Sequence, residues 1–442
     1  MAVRDADDPR EAETRLRSAL ARARDGRPRL EGWAFELRER SFSRASILEP
    51  GVVNPGLAPS TGQSVTGQLD LRWSDGRVSQ VSFDGPLPEA EQGLISEWLS
   101  QSINDDGAVP IIEPCAVPEV HAHDPAVSAM VGKGSEGFRA ELNRVDRLVR
   151  QKVASPAEIS LRVGRERRTF ATSTGQRVVT RRTAYSLTVA GMDDLAAGVS
   201  TRQRPGEMRV LAVAEELSRI QAAPADGAEY EHGERAVLFG PRVVDQLCRR
   251  FLFPNLLAGP VAESRSRFHV GDFVARRRVA AETLTVRVST VLPFQMGTAR
   301  CARDGTPGGT AVLIRDGGLM APISSYRASY RHGWARTPFP SASPWLVLSD
   351  SRGMLSQAEA HAALDVGVEV HAIMGLHTQD PRAGRYALIA PNALLVRQSR
   401  VVARRHVRLM GDFLQQLQDP STYLVEMPGE ALPSLLLRCE VA

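Results

Sequence analysis

Metal, nucleophile and base chemistry draws on histidine, cysteine and carboxylates, and this chain of 442 residues carries 9 histidines and 4 cysteines. A zinc hydrolase needs imidazoles on adjacent helical turns and a carboxylate that can take a proton from the metal-bound water. No His-Glu-x-x-x-His occurs. The closest metal-like tract, His121-x-His123-Asp124, sits in a proline-rich stretch and falls short of the coordination set zinc takes, so it reads as a solvated loop. His377 invites a role as general base. It has no acid or nucleophile at a readable spacing, and a loop histidine held by hydrogen bonds is the simpler reading. Cys115, Cys248, Cys301 and Cys439 show no Cys-x-x-Cys spacing, which fits buried thiols and no disulfide framework. There is no P-loop and no Gly-x-Ser-x-Gly elbow, and Gly132-x-Gly134-x-x-Gly137 follows a connector rather than a strand, so it reads as a helix entry.

The elements that would position such residues divide the chain near residue 222. Asp8-Pro9-x-Glu11 offers a cap, a proline at the first helical position and a capping-box acid, and Leu16, Ala19, Leu20 and Ala23 mark one helical face. Leu69, Leu71 and Trp73 alternate up to Asp75-Gly76, and Val78 to Phe83 returns, a hairpin with a bulge where the alternation slips. Residues 104–137 read as a connector, followed by a helix capped at Ser135 with Phe138, Leu142, Val145, Leu148 and Val149 on its apolar face. Strands are expected at 159–163 and 178–189 around Thr174-Gly175, then a helix through Leu211 and Leu217. Residues 1–222 therefore form an expected N-terminal α/β domain. Beyond it strands dominate: 284–291, 310–314, 345–348, 368–374, 386–389 and 394–396, with a two-residue turn at Asp316-Gly317. Ser356-x-x-Glu359 predicts a capped helix ended by Gly367. Residues 223–442 form the expected C-terminal β-rich domain.

Several motifs, in order, resemble the TldD/PmbA peptidases, also called the modulator of DNA gyrase family. Arg303-Asp304-Gly305-Thr306-Pro307 followed by Val312 to Leu319 is similar to the family's hairpin segment. Gly375-Leu376-His377-Thr378-Gln379-Asp380-Pro381, continued by Gly384-Arg385-Tyr386-Ala387, is similar to its Gly-x-His-(Thr/Ser)-x-Asn-Pro-x-x-Gly-Asp-Phe-Ser loop, and Thr172-Ser173-Thr174-Gly175 to its Asn-Ser-x-Gly turn. Three positions depart: Arg385 replaces an acid, Ala387 a serine, and Pro391-Asn392-Ala393 stands where a glycine is usual. The resemblance is strongest from about 238 to 417.

The resemblance implies an N-terminal mixed α/β domain and a C-terminal antiparallel, barrel-like domain. It also implies a zinc metallopeptidase assembly in which a subunit without metal pairs with a metal-bearing relative. In the metal-bearing branch a helix opening the C-terminal domain supplies the histidines; here that neighbourhood holds Cys248, Arg249 and Pro254. Arg249 and its neighbour Arg250 repel a divalent cation, and proline cannot ligate it. Cys439 lies beyond the region from which that branch draws a late cysteine ligand. The expectation is a TldE/PmbA-like, non-catalytic subunit with no cofactor of its own, zinc in a TldD-like partner, and a peptide or peptide-like biosynthetic intermediate as substrate. Asp304, Gly305, His377, Thr378 and Gly384 are the expected chamber or structural motif residues. A homodimeric peptide or small-molecule binder, and a metal-independent hydrolase using His377, are the alternatives.

Composition narrows the partners. The net charge is +4 and the sequence pI about 9.1, but acids and bases interleave, so no nucleic-acid role is expected. Only Lys133 and Lys152 are lysines, a balance expected of a GC-rich genome. No apolar run reaches the roughly 20 residues of a membrane helix, and the acidic, polar start does not read as a signal peptide, so a cytoplasmic protein is expected.

Overall fold

The computed structural model describes residues 9–26, 28–48, 52–53, 60–85, 91–105, 108–153, 156–191, 195–225, 232–338, 345–427 and 430–442. The cap expected at Asp8 lies outside them, but the helix Pro9–Arg24 does bury Leu16, Ala19, Leu20 and Ala23 as its spacing requires. That face packs on an eight-stranded sheet. Its order is Ile103–Asn104, Arg77–Asp84, Ser60–Trp73, Leu30–Leu48, Glu158–Thr172, Arg177–Ala190 and Ala196–Thr201, with Val52–Val53 paired onto Leu30–Leu48. All these pairings are antiparallel. Arg72↔Val78 and its neighbours pair without the expected bulge; the irregularity falls instead between Leu30 and Gly32.

Two cores share one face of this sheet. At one end the helices Pro9–Arg24 and Glu91–Ser100 cover Phe35, Leu37, Leu69, Leu71 and Trp73. At the other, Glu136–Arg150 and Glu207–Ala222 cover Ile159, Leu161, Val163, Leu187 and Val189. Ser135 caps the first of that pair, accepting the Phe138 N–H at 3.2 Å. The long strand Leu30–Leu48 runs under both cores.

The second half contains two sheets. One is a four-stranded hairpin array ordered Gly318–Leu319, Thr310–Arg315, Leu284–Ser289, Trp345–Asp350. Asp316 and Gly317 both take positive φ, 49° and 74°, as their two-residue turn demands. The other is ordered Arg400–Asp412, Arg385–Arg397, Val366–Val370, Gly233–Phe239, Ser434–Val441, Tyr423–Val425, and Arg400–Asp412 also pairs with Ser434–Val441. Five strands thereby close into a ring. The barrel-like expectation holds with one amendment: Gly233–Phe239 and Val366–Val370 run parallel.

Gly367 is not the helix-ending glycine expected. Asp365 ends the helix Gln357–Leu364 at φ 44°, and Gly367 sits inside the next strand, where a Cβ would lie 2.6 Å from the Ala236 carbonyl oxygen. The segments expected at 386–389 and 394–396 are one strand, kinked where its register slips between Ala390 and Ala393. Asn392 occupies positive φ (54°) there, which asparagine tolerates better than most residues and which accounts for its standing in a glycine's place.

Candidate functional site

The helix that would carry metal ligands opens at Pro241, seated against the ring by Gly240, whose N–H donates to the Val370 carbonyl at 2.9 Å. It runs as α-helix over Pro241–Leu247, widens to a π-turn over Cys248–Leu252 and resumes over Phe253–Leu256. Pro254 explains the widening. Proline lacks an N–H and its ring crowds the carbonyl four residues back, and a π-turn, here closed by the Phe253 N–H on the Cys248 carbonyl, relieves that crowding. Cys248 is buried, and burial pushes its thiol far above the ordinary range, so it is a neutral packing group. Arg249 donates to Asp245 at 2.7 Å and lies over the Phe253 ring at 5.9 Å. A protonated thiol, a paired guanidinium and a proline ring do not fit a zinc ion. Among the described residues no three His, Cys, Asp or Glu side chains gather so as to hold a metal.

The next residue, Arg250, reaches across to the loop after Val366–Val370. Its guanidinium donates to the main-chain carbonyls of His377, at 3.0 Å, and of Gln379. Asn255 from the same helix donates to Pro381 O at 2.8 Å. Thr378 Oγ1 closes the turn on Gly375 O at 2.8 Å, and the His377 side chain is exposed. Gly384 takes φ 73° beside the Arg267–Asp412 pair, and a Cβ there would press on both partners at 3.0 Å. Thr378 and Gly384 thus shape a turn.

Asp304 and Gly305 lie elsewhere, against the N-terminal sheet. Asp304 accepts the N–H groups of Thr306 (3.0 Å) and Tyr326 (2.7 Å), and Gly305, at φ 82°, fits where a Cβ would meet Ile112 at 2.7 Å and Phe170 at 2.9 Å. The five motif residues therefore split into two clusters. His121 is different again: its ring leans on Phe294 with centroids 6.3 Å apart, while Asp124 caps the helix Pro125–Ala129 by accepting the Ala126 N–H at 2.8 Å.

A charged cluster with no sequence signature lies behind the helix start. Glu369 is almost wholly buried and accepts two hydrogen bonds from Arg219, at 2.7 and 2.5 Å. His371 places Nε2 3.2 Å from Glu369 and Nδ1 3.3 Å from Glu216. Carboxylates near both ring nitrogens favour the protonated ring, while the Arg219 guanidinium also lies 3.3 Å from Nε2. Burial alone would lower the His371 pKa, but its hydrogen bonds to Glu216 and Glu369 and their charges outweigh it and raise it to about 9. Burial would raise the Glu369 pKa, yet Arg219 and the two histidines hold it well below the usual range. His361 Nε2 approaches Glu369 at 3.2 Å without hydrogen-bond geometry. Arg219 and Glu216 come from the helix Glu207–Ala222, so the cluster ties the two halves together.

A cleft of about 960 Å³ opens beside this helix start. Its walls include Arg242 and Asp245 of the helix and two sheet-edge strands, Ala196–Thr201 and Trp345–Asp350. The profile of the PmbA/TldA metallopeptidase C-terminal domain matches residues 232–432, which span this helix, the Gly375 loop, the four-stranded sheet and every strand of the other sheet except Ser434–Val441. Residues 232–432 thus carry a C-terminal domain of the TldD/PmbA type. TldE from Thermococcus kodakarensis superposes with a TM-score of 0.76 over 98% of this chain and 100% of its own, at 16% identity. A chain assigned as a modulator of a DNA gyrase from Thermotoga maritima gives 0.77 over 97% and 100%, at 14% identity. At such identities the agreement establishes the fold. The uncharacterized protein MJ0231 of Methanocaldococcus jannaschii is 20% identical over 282 residues, 61% of this chain, and the match spans 65% of that protein's length. Within the TldD/PmbA fold the sequence had pointed to the helix and the loop; Arg250, which joins them, and the Glu369 cluster were missed. Among the described residues no helix is long and apolar enough to cross a membrane.

Proposed function

We propose that this chain is the metal-free, TldE/PmbA-like subunit of a heterodimeric zinc metallopeptidase that cleaves amide bonds in peptides or peptide-like intermediates. The observation that carries this reading is the helix Pro241–Leu256, where a π-turn, a buried neutral thiol and a paired arginine replace a ligand set. The subunit's work is then to shape a chamber and bind its partner. The cleft supports that role, since an extended peptide can add to a sheet edge through main-chain hydrogen bonds and two edges border it. Zinc and the water it activates belong to the TldD-like partner in this reading.

The test is co-purification with a relative that carries His-Glu-x-x-x-His, followed by peptide hydrolysis assays on each chain and on the mixture. Hydrolysis is expected only in the mixture, abolished by a chelator, and reduced only modestly by His377→Ala. Chelator-resistant turnover by this chain alone, lost in His377→Ala, would transfer catalysis to it.

A further inference from the structure

A second, smaller cavity of about 160 Å³ lies where the strand Ser60–Trp73 meets the segments around residues 109–112 and 304–327. Asp70 and Arg72 are two residues apart on that strand, so both project from the same face. Each carboxylate in this region already has a cationic or backbone partner. Asp70 has Arg303 at 4.0 Å, Asp105 has Arg327 at 2.6 Å and Arg331 at 3.3 Å, and Asp304 holds two backbone N–H groups. The Arg72 side chain differs: among the described residues it takes part in no hydrogen bond or close ion pair, its Nε is enclosed without a partner, and the more distant charges of Asp105 and Asp70 act on it. Gly32 is the cross-strand neighbour of Arg72, and a Cβ there would crowd Ile111 of the cavity wall at 3.0 Å. An enclosed donor left unmatched carries a desolvation penalty, which a ligand's acceptor would recover.

The rest of the lining says which acceptor. Val78, Val109, Ile111 and Ile112 give the cavity an aliphatic wall. Three carboxylates close by disfavour a doubly charged anion such as phosphate, whereas a single carboxylate matches one spare guanidinium and can bond it bidentately. The volume is about five times the ~30 Å³ that a water occupies in the liquid, room for one small aliphatic residue. We propose that this cavity binds a carboxylate joined to a short aliphatic side chain, with the carboxylate on Arg72 and the side chain against Val78, Val109 and Ile112. Such a group is presented by the C-terminal residue of a peptide and by a free aliphatic amino acid. Nothing in this assignment requires the metal-bearing partner.

Calorimetric titration of the full chain tests it with leucine, N-acetylleucine, a tripeptide ending in leucine, and the amidated form of that tripeptide. A peptide end is the ligand if N-acetylleucine and the free-acid tripeptide bind; a free amino acid is the ligand if leucine alone binds. The first result supports the site when amidation weakens binding by about tenfold or more, and either result supports it only when Arg72→Gln abolishes binding. Ala108→Leu, which narrows the cavity without touching Arg72, is expected to weaken binding while the far-ultraviolet circular dichroism stays unchanged. Equal affinity for the acid and the amide, binding retained in Arg72→Gln, or no heat from any probe at millimolar concentration would overturn the proposal. A positive result here with no hydrolysis in the mixed complex would sink the peptidase reading and leave this site standing.

Discussion

At the scale of single residues, the Glu369 cluster shows how much of the molecule's electrostatics rests on groups that no motif marks. Two acids, Glu216 and Glu369, face two cations, His371 and Arg219, inside the protein. Removing one partner from such a set leaves uncompensated charge, so Glu369→Gln is expected to destabilise the fold by about 3–5 kcal/mol, measured by denaturant unfolding. The cluster also sets a pH window. His371 has a raised pKa, so its contribution is complete below its ordinary value of 6.5 and is lost as pH rises through about 9. Glu369 has a lowered one, so its contribution is complete above 4.5 and is lost as pH falls. Stability should therefore decline between about pH 6.5 and about pH 9 in the native chain, and His371→Gln should flatten that limb; an unchanged limb would remove His371 as its cause. None of this was legible beforehand, because Arg219 and Glu369 are separated by 150 positions and only the packed fold brings them together. Cys248, Arg249 and Pro254 were legible, since the chemistry a metal requires can be checked residue by residue.

At the scale of elements, helix faces and short turns were readable and long strands were not. Ser135 and Ser356 announce their helices through side chains that bond the backbone three residues on. The strand Leu30–Leu48 escaped because its middle, Arg38-Glu39-Arg40, breaks the apolar alternation that marks a strand. Those charges are tolerated there because Arg38 donates to Glu36, Arg167 meets Glu39 at 3.2 Å and Arg40 donates to Glu166 at 2.7 Å. Coupling between elements was equally hidden. Arg250 is the side chain by which the π-turn helix grips the Gly375 loop, so Arg250→Met should free that loop. Amide exchange over residues 375–384 is expected to accelerate by an order of magnitude or more, with a global stability loss of about 1–3 kcal/mol. Exchange that speeds up uniformly across the chain would instead show that Arg250 acts on the whole core.

At the scale of the whole molecule, arginine side chains from one half grasp main-chain carbonyls of the other. Arg202 donates to Gln295 O at 2.9 Å and to Met296 O, Arg168 to Cys301 O, and Arg300 returns the contact to Pro118 O at 3.1 Å. Arginine therefore serves the interior here as much as the surface.

The ring of strands has a consequence in time. Gly233–Phe239 finds its two neighbours only at Val366–Val370 and Ser434–Val441, so a chain emerging from the ribosome has made that strand some two hundred residues before the second of them exists. Until then Val237 and Phe239, fully buried in the finished fold, have one flank unpaired. Nascent chains stalled before residue 434 should therefore be cut readily by protease beyond residue 233 and engaged by chaperones that hold apolar strands. Release of the complete chain should end both, and protection appearing earlier would mean that the half-built ring is stable while still open.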